Sequence, residues 1–297
     1  MLKIVIVSIL ILFNYNLYAQ SGEGGEIGAF MKNGFGARAS AMGNSFTAVS
    51  NDVSSIYYNP AGLSLLDKTQ VLGMYSSLFN DVDGISYGNL AIAKPFSFGT
   101  IGLGVVYLNV GDIPYVPDNT GPDGTTFSDN EVAVFLTYSA MYVETLRMGC
   151  SIKFLHHSIA DYSGSGIGFD IGFMSKFSDK LTFGLMFQDL FGASIKLNKD
   201  SDQYPAQVKF GASYKPVESL IISPQINFSE GKRLIFAVGT EYKLYRDYIY
   251  VRSGFNNLYN SWSAGLGLNY EDIKLDYSYN IHKDLGSVNK FGFVIGF

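Results

Sequence analysis

Bulky apolar residues alternate with small or polar ones in segment after segment. This pattern most limits what the chain can become. After Gln70 about fourteen stretches carry it. Ile167, Phe169, Ile171 and Phe173 share one side of a strand, and Gly168, Asp170 and Gly172 share the other. Trp262, Ala264, Leu266, Leu268 and Tyr270 oppose Ser263, Gly265, Gly267 and Asn269. Ile273, Leu275, Tyr277, Tyr279 and Ile281 oppose Asp272, Lys274, Asp276, Ser278 and Asn280. One face of each strand suits hydrocarbon and the other suits water or close packing. A soluble β-sandwich also alternates, but its polar face carries many more charges. Only 16% of these residues are charged, against 33 Gly, 21 Tyr and 23 Phe. No stretch beyond the first residues approaches the roughly 20 apolar residues of a membrane helix. The expected fold is all-β: a transmembrane antiparallel β-barrel of about 14 strands.

The connections test this independently. Bacterial barrels pair short periplasmic turns with longer outer loops. Every second connection here is tight: Lys94-Pro95-Phe96, Met141 to Glu144, Ser178-Asp179-Lys180, Lys215 to Glu218, Tyr245-Arg246-Asp247 and Glu271-Asp272. Most of the others are longer: Asn109 to Phe127, His157 to Ser165, Gln188 to Gln203 and Lys283 to Val288. The rhythm is the one expected for a chain that starts on the periplasmic side, and it requires an even number of strands.

Both ends carry export signals. Residues 1–19 read as a secretory leader, with Lys3 as its positive start and an apolar run from Ile4 to Phe13. Ala19 precedes the expected cut, and no Cys follows to take a lipid. At the far end Phe291, Phe293, Ile295 and Phe297 share one face of a last strand. This resembles the terminal signal by which outer-membrane proteins are handed to the barrel-insertion machinery. The same residues also suit an ordinary buried last strand.

Residues 20–68 form a different region, and 69–297 are the expected barrel. Within the first, Gly34 to Leu66 is rich in Ala, Ser and Gly. Asn51 and Asp52 suit the N-cap of a short helix over Val53 to Tyr58. Pro60 stops that helix and pushes Asn59 into an extended conformation. Asn59 can then cap a second turn with Pro60 at its first position, and Gly62 ends or bends it. Local signals fit either an N-terminal helical hairpin of a soluble domain or a plug in the periplasmic mouth of a barrel. The strands that follow favour the plug.

Three motifs in this stretch carry a resemblance. They are Gly36-Ala37-Arg38-Ala39-Ser40-Ala41-Met42-Gly43, Ala48-Val49-Ser50-Asn51-Asp52, and Tyr57-Tyr58-Asn59-Pro60-Ala61-Gly62-Leu63. Together they resemble the N-terminal signature of the PorV/PorQ family, whose fold is similar to that of FadL-type transporters. The motifs cover about a tenth of the chain. The resemblance implies a non-enzymatic outer-membrane protein associated with type IX secretion. Its partners would be secreted cargo or secretion components, besides membrane lipid. The alternative is a FadL-like transporter of small hydrophobic molecules, which needs an apolar pocket near the outer mouth. A third reading is a purely structural partner in an envelope complex. The plug residues so implicated are Gly36, Arg38, Met42, Gly43, Asp52, Asn59, Pro60, Ala61 and Gly62.

Other chemistry is poorly represented. No phosphate-binding glycine loop or nucleophile elbow occurs, and no basic cluster points to nucleic acid. His156 and His157 are adjacent and would face opposite sides of a strand, so they cannot easily share a metal. Asp118, Asp123, Asp200 and Asp202 occur in loops where solvated acids are common. We therefore expect no cofactor, metal or catalytic residue. The lone Cys150 excludes an internal disulfide and reads as a wall residue. Glu131, Lys153, Asp170, Lys209, Glu241, Lys243, Arg252, Lys274 and Asp276 are candidates for the inner face, where buried charges must pair. Arg38 can bond one of these carboxylates. Ile113, Tyr115, Val116, Phe191 and Ile195 lie in the two long loops, where exposure would be unfavourable without a partner or loop packing.

Overall fold

The computed structural model describes residues 28–78, 84–116, 121–197, 201–229, 234–258, 260–282 and 286–297. The leader expected over 1–19 lies outside the described residues, as do Asp118 and Asp200.

Before the strands, the described residues form four short helical turns. These are Ala29–Asn33, Ala37–Ala41, Ser55–Tyr58 and Pro60–Leu65. The strands begin with β1 (Gln70–Ser77), β2 (Ile85–Phe96), β3 (Gly99–Pro114), β4 (Thr126–Val143) and β5 (Leu146–Ile159). Next are β6 (Tyr162–Ser178), β7 (Leu181–Leu190), β8 (Ser194–Lys196), β9 (Ser201–Gln203), β10 (Gln207–Val217) and β11 (Leu220–Ser229). The last are β12 (Ile235–Tyr245), β13 (Ile249–Asn256), β14 (Ser261–Tyr270), β15 (Ile273–His282) and β16 (Gly286–Gly296).

Fourteen strands close into an antiparallel barrel, and β8 and β9 form a separate hairpin. Closure joins β1 to β16, from Gln70 opposite Gly296 to Ser77 opposite Asn289. Thr69 and Phe297 extend that ladder by exchanging backbone hydrogen bonds. The outward residues match the alternation: Ile167, Phe169 and Ile171 on β6, and Trp262, Leu266 and Leu268 on β14, are exposed. Cys150 is also exposed on the wall. Phe291, Phe293, Ile295 and Phe297 all face outward beside the seam.

Five of the short turns overlap the expected residues; the first is displaced to Ser97-Phe98, because Lys94, Pro95 and Phe96 still pair with Ile101, Thr100 and Gly99 at the end of β2. The long connections are shorter than expected, because strands continue past their apolar part. Ile113 pairs with Phe127, and Pro114 with Thr126. Ser158 and Ile159 pair with Ser163 and Tyr162. The backbone ladder does not need apolar side chains, so it runs on where the alternation fades.

The N-terminal region folds inside the ring. It does not stay at one mouth. Its first described residue, Gly28, lies against Tyr204 at the end with the long loops, and Pro60 to Leu65 pack on β4, β5 and β6. The core is therefore the filled lumen, with Phe35, Met42, Phe46, Ile56 and Leu63 wholly buried in it. Backbone meets backbone at the contacts. A Cβ added at Gly254 would lie 2.3 Å from the Gly43 nitrogen, and Gly43 itself has φ 65°. Only glycine tolerates both demands.

Gly62 acts differently from the expected chain stop. The turn continues through it to Leu65, and a Cβ there would lie 2.1 Å from the Ser50 carbonyl oxygen. Close approach, not termination, calls for glycine.

Replacing Gly254 with Val should leave the barrel closed but prevent the plug from seating. In the folded barrel, shown by heat-modifiable gel mobility, the plug should become accessible to chymotrypsin. Protection equal to that of the wild type would count against this packing.

Candidate functional site

The plug backbone is irregular, so most of its polar groups lack a helical or sheet partner. Inward side chains of the wall supply them. The Gln225 Oε1 accepts from the Phe46 and Thr47 N–H groups, each at 3.0 Å. The Asn89 Oδ1 accepts from the Gly36 N–H at 2.9 Å, and the Tyr87 hydroxyl donates to the Gly34 carbonyl at 2.6 Å. Asn280 donates to the Ser40 carbonyl and Asn256 to the Gly43 carbonyl, at 3.0 and 3.1 Å. Lys290 donates to the Asn33 carbonyl.

The Asn-Pro turn is bound from both sides. Asn59 is extended, at φ −168°, and its Oδ1 accepts from the Ala61 N–H at 3.2 Å as an N-cap. Its Nδ2 donates to the Thr47 carbonyl in the plug at 2.9 Å and to the Phe173 carbonyl in the wall at 3.0 Å. Ser139 of β4 donates to the Ala61 carbonyl at 3.0 Å. The preceding turn is capped otherwise than expected. The helix starts at Ser55, and Asp52 Oδ1 accepts from the Ser54 N–H at 2.9 Å. The Asp52 carboxylate thus bonds along the chain and leaves its other oxygen for Arg38.

Arg38 holds this part of the plug. Its Nε and Nη2 donate to both oxygens of Glu241 on β12, each at 2.8 Å. Its Nη1 reaches Asp52 Oδ2 and Asn51 Oδ1, each at 2.7 Å. Arg252 of β13 also bonds Glu241, at 2.6 Å, and pairs with Asp276 of β15 at 2.6 Å. Two guanidiniums and three carboxylates thus form one buried network linking the plug to three strands. Burial opposes ionisation of Asp52, but Arg38 and Ser54 hold its carboxyl below the ordinary value of 3.8. A second network lies deeper. Lys153, with no exposed surface, pairs with Asp170 at 2.9 Å and Asp189 at 2.6 Å. Lys153 and Asp170 were legible as inward positions. Asp189 was not, because it falls within a long loop of the sequence.

Asp189 also shapes the wall. With Phe191 and Gly192 it has positive φ (55°, 70° and 62°), and the chain turns inward there. β7 therefore leaves β6 at Leu190, opposite Phe169, while residues 162–168 of β6 remain paired with β5 alone. This leaves a step in the wall, covered on its inner side by β8. Ile195 packs over Gly164, and the Ser194 carbonyl lies over Gly166. Ile195 is fully buried by its own chain. Ile113 is half-buried on β3, whereas Tyr115, Val116 and Phe191 are exposed. The Tyr115 ring meets Phe127, and the Phe191 ring meets Phe169.

A cavity of about 80 Å³ opens behind that step. Met31, Tyr57, Tyr58, Tyr204 and Leu258 supply its apolar lining, with Gln188 and Lys209 among the polar groups. The Lys209 ammonium sits 5.7 Å from the centre of the Tyr57 ring. At the short-turn end a separate hollow of about 230 Å³ is lined by charges, including Arg38, Glu218, Glu241, Lys243 and Arg252.

Plug and step complete a closed fourteen-stranded antiparallel barrel with a filled lumen. Neither family models nor curated proteins provide a match to the sequence. Solved structures do resemble the fold. The CymD monoaromatic hydrocarbon channel is 13% identical over 91% of this chain and 99% of its own, with a TM-score of 0.70. The Pseudomonas putida toluene transporter TodX is 14% identical over 89% of this chain and 97% of its own, with a TM-score of 0.65. A Pseudomonas aeruginosa FadL homologue is 12% identical over 88% and 97%, with a TM-score of 0.61.

Removing one member of a buried ion network costs about 3–5 kcal/mol. Arg38→Ala should therefore raise hydrogen exchange of the plug amides by at least about a hundredfold, with the wall amides unchanged. The Asp52 contribution is complete above its ordinary value of 3.8 and is lost as pH falls through its depressed folded value. Plug protection should be flat at neutral pH and decline only below about pH 4. Arg38→Ala should flatten that acid step; an unaltered step would show that Arg38 does not set it.

Proposed function

We propose that this chain is a non-enzymatic outer-membrane barrel that transports small hydrophobic molecules. The observation that carries this reading is the cavity lying directly behind the step between β6 and β7. Gln188, Asp189, Tyr204 and Gln207 border the cavity, and the same residues flank the inward turn that makes the step. A small molecule entering from the long-loop end meets aromatic and aliphatic surface there. Straight passage onward is unfavourable, because the plug fills the lumen and the hollow below it is lined with charges. Sideways exit past Phe191 and Phe169 to the apolar outer face requires β8, which covers the step, to move aside. The cavity is far smaller than the roughly 300–1,000 Å³ of drug-sized sites. The substrates are accordingly small, and Lys209, Gln188 and Gln225 admit a polar group on them. The names of the similar structures, two of which handle monoaromatic hydrocarbons or toluene, support the same direction.

A second reading is a PorV/PorQ-type partner of type IX secretion. The plug motif favours it, since Gly36, Arg38, Gly43, Asp52 and Asn59 all serve to lock the plug into the wall. Cargo would then dock on exposed Tyr115, Val116 and Phe191. In both readings the long loops face outward, the short turns face the periplasm, and the Phe-rich last strand serves insertion.

Flux of radiolabelled toluene across proteoliposomes separates the readings. Transport predicts flux above that of protein-free vesicles, falling to that background in Leu258→Trp and Ser229→Trp, which fill or obstruct the cavity. Wild-type flux at background, with secreted proteins recovered by crosslinking in intact cells, would support the secretion partner instead.

A further inference from the structure

A third group of titratable side chains lies apart from both ion networks. Asp129 and Glu131 are two residues apart on β4 and share its inner face. His157 on β5 stands directly opposite Glu131 in the strand register. Its Nε2 lies 2.8 Å from Asp129 Oδ1. One ligand atom from each of the three residues lies within 4.8 Å of the other two. Metal–ligand bonds of 2.0–2.2 Å place neighbouring ligand atoms about 3 to 4 Å apart, so small rotamer shifts suffice to gather them on one ion.

Two further observations point to a ligand. The Glu131 carboxylate makes no hydrogen bond or close ion pair among the described residues, and no lysine or arginine pairs with Asp129. His157 Nδ1 is buried and has no hydrogen-bond partner among the described residues. Two half-buried carboxylates are thus held close together with a single imidazole, which bonds only Asp129, on a wall where the fully buried acids each meet a lysine or arginine. A cation with affinity for both nitrogen and oxygen would relieve that repulsion. Burial keeps the nearby Tyr204 phenol protonated well above its usual range, and the Glu131 and Asp189 carboxylates add to this.

We propose that Asp129, Glu131 and His157 bind one divalent transition-metal ion of the zinc class on the inner face of β4 and β5. Two carboxylate oxygens and one imidazole nitrogen supply three ligands, and water completes the shell. Hard cations such as Ca²⁺ prefer six to eight oxygens, so the histidine disfavours them. The bound ion would tie β4 to β5 at the long-loop end. This site is independent of what the barrel transports.

The test uses the full folded protein in detergent, without a polyhistidine tag and stripped with EDTA. Co²⁺ titration should show one ion per chain, with visible absorption bands displaced by Zn²⁺ and not by equimolar Ca²⁺. His157→Ala and Glu131→Gln should each weaken binding by at least about tenfold. His157→Gln serves if the alanine variant fails to close, judged by heat-modifiable mobility. Absence of stoichiometric binding would overturn the proposal. So would equal affinity in the variants, or displacement by Ca²⁺.

Discussion

Hydrocarbon offers no hydrogen bonds, so a wall that faces it must satisfy every backbone group within itself. Here that requirement is met at the seam between β1 and β16. Eight residue pairs join there, and Thr69 and Phe297 carry the ladder to the last residue. Everything else follows from a ring of this size. Fourteen strands enclose more space than their own inward side chains can fill, so a separate segment must fill it.

The filling segment has too few residues in regular structure to satisfy its own backbone. The wall does it instead, through Gln225, Asn89, Asn256, Asn280 and Tyr87. This explains why the inner face carries amides and hydroxyls, not a layer of leucines. It also explains the glycines on the wall, which let the plug backbone come close enough to be bonded. Arg38 then adds a charged connection whose partners come from both plug and wall, sharing Glu241 with Arg252 of the wall.

The lysine network does for the wall what the arginine network does for the plug. Lys153 draws in Asp189, and that inward turn ends β7 early. One buried cation thereby links the interior to the step, the covering hairpin and the cavity. Neutralising it would leave two buried carboxylates without a counter-charge, a costly arrangement.

The residues themselves determined the alternation, five of the six tight turns, the inward charges and the extended Asn59 before Pro60. Each is a local property: strand parity, turn chemistry or a proline's sterics acts within a few residues. Tertiary structure alone decided the rest. The periodic pattern does not show how far a ladder runs once its side chains turn polar, so the sequence of His157 to Ser165 has the look of a loop although β5 and β6 pair through most of it. It could not show Ile195 buried on Gly164, or Asp189 paired with Lys153, because these contacts join strands through the lumen. Nor could it bring Asp129, Glu131 and His157 together, since register between two strands is fixed by the closed ring and not by either strand alone.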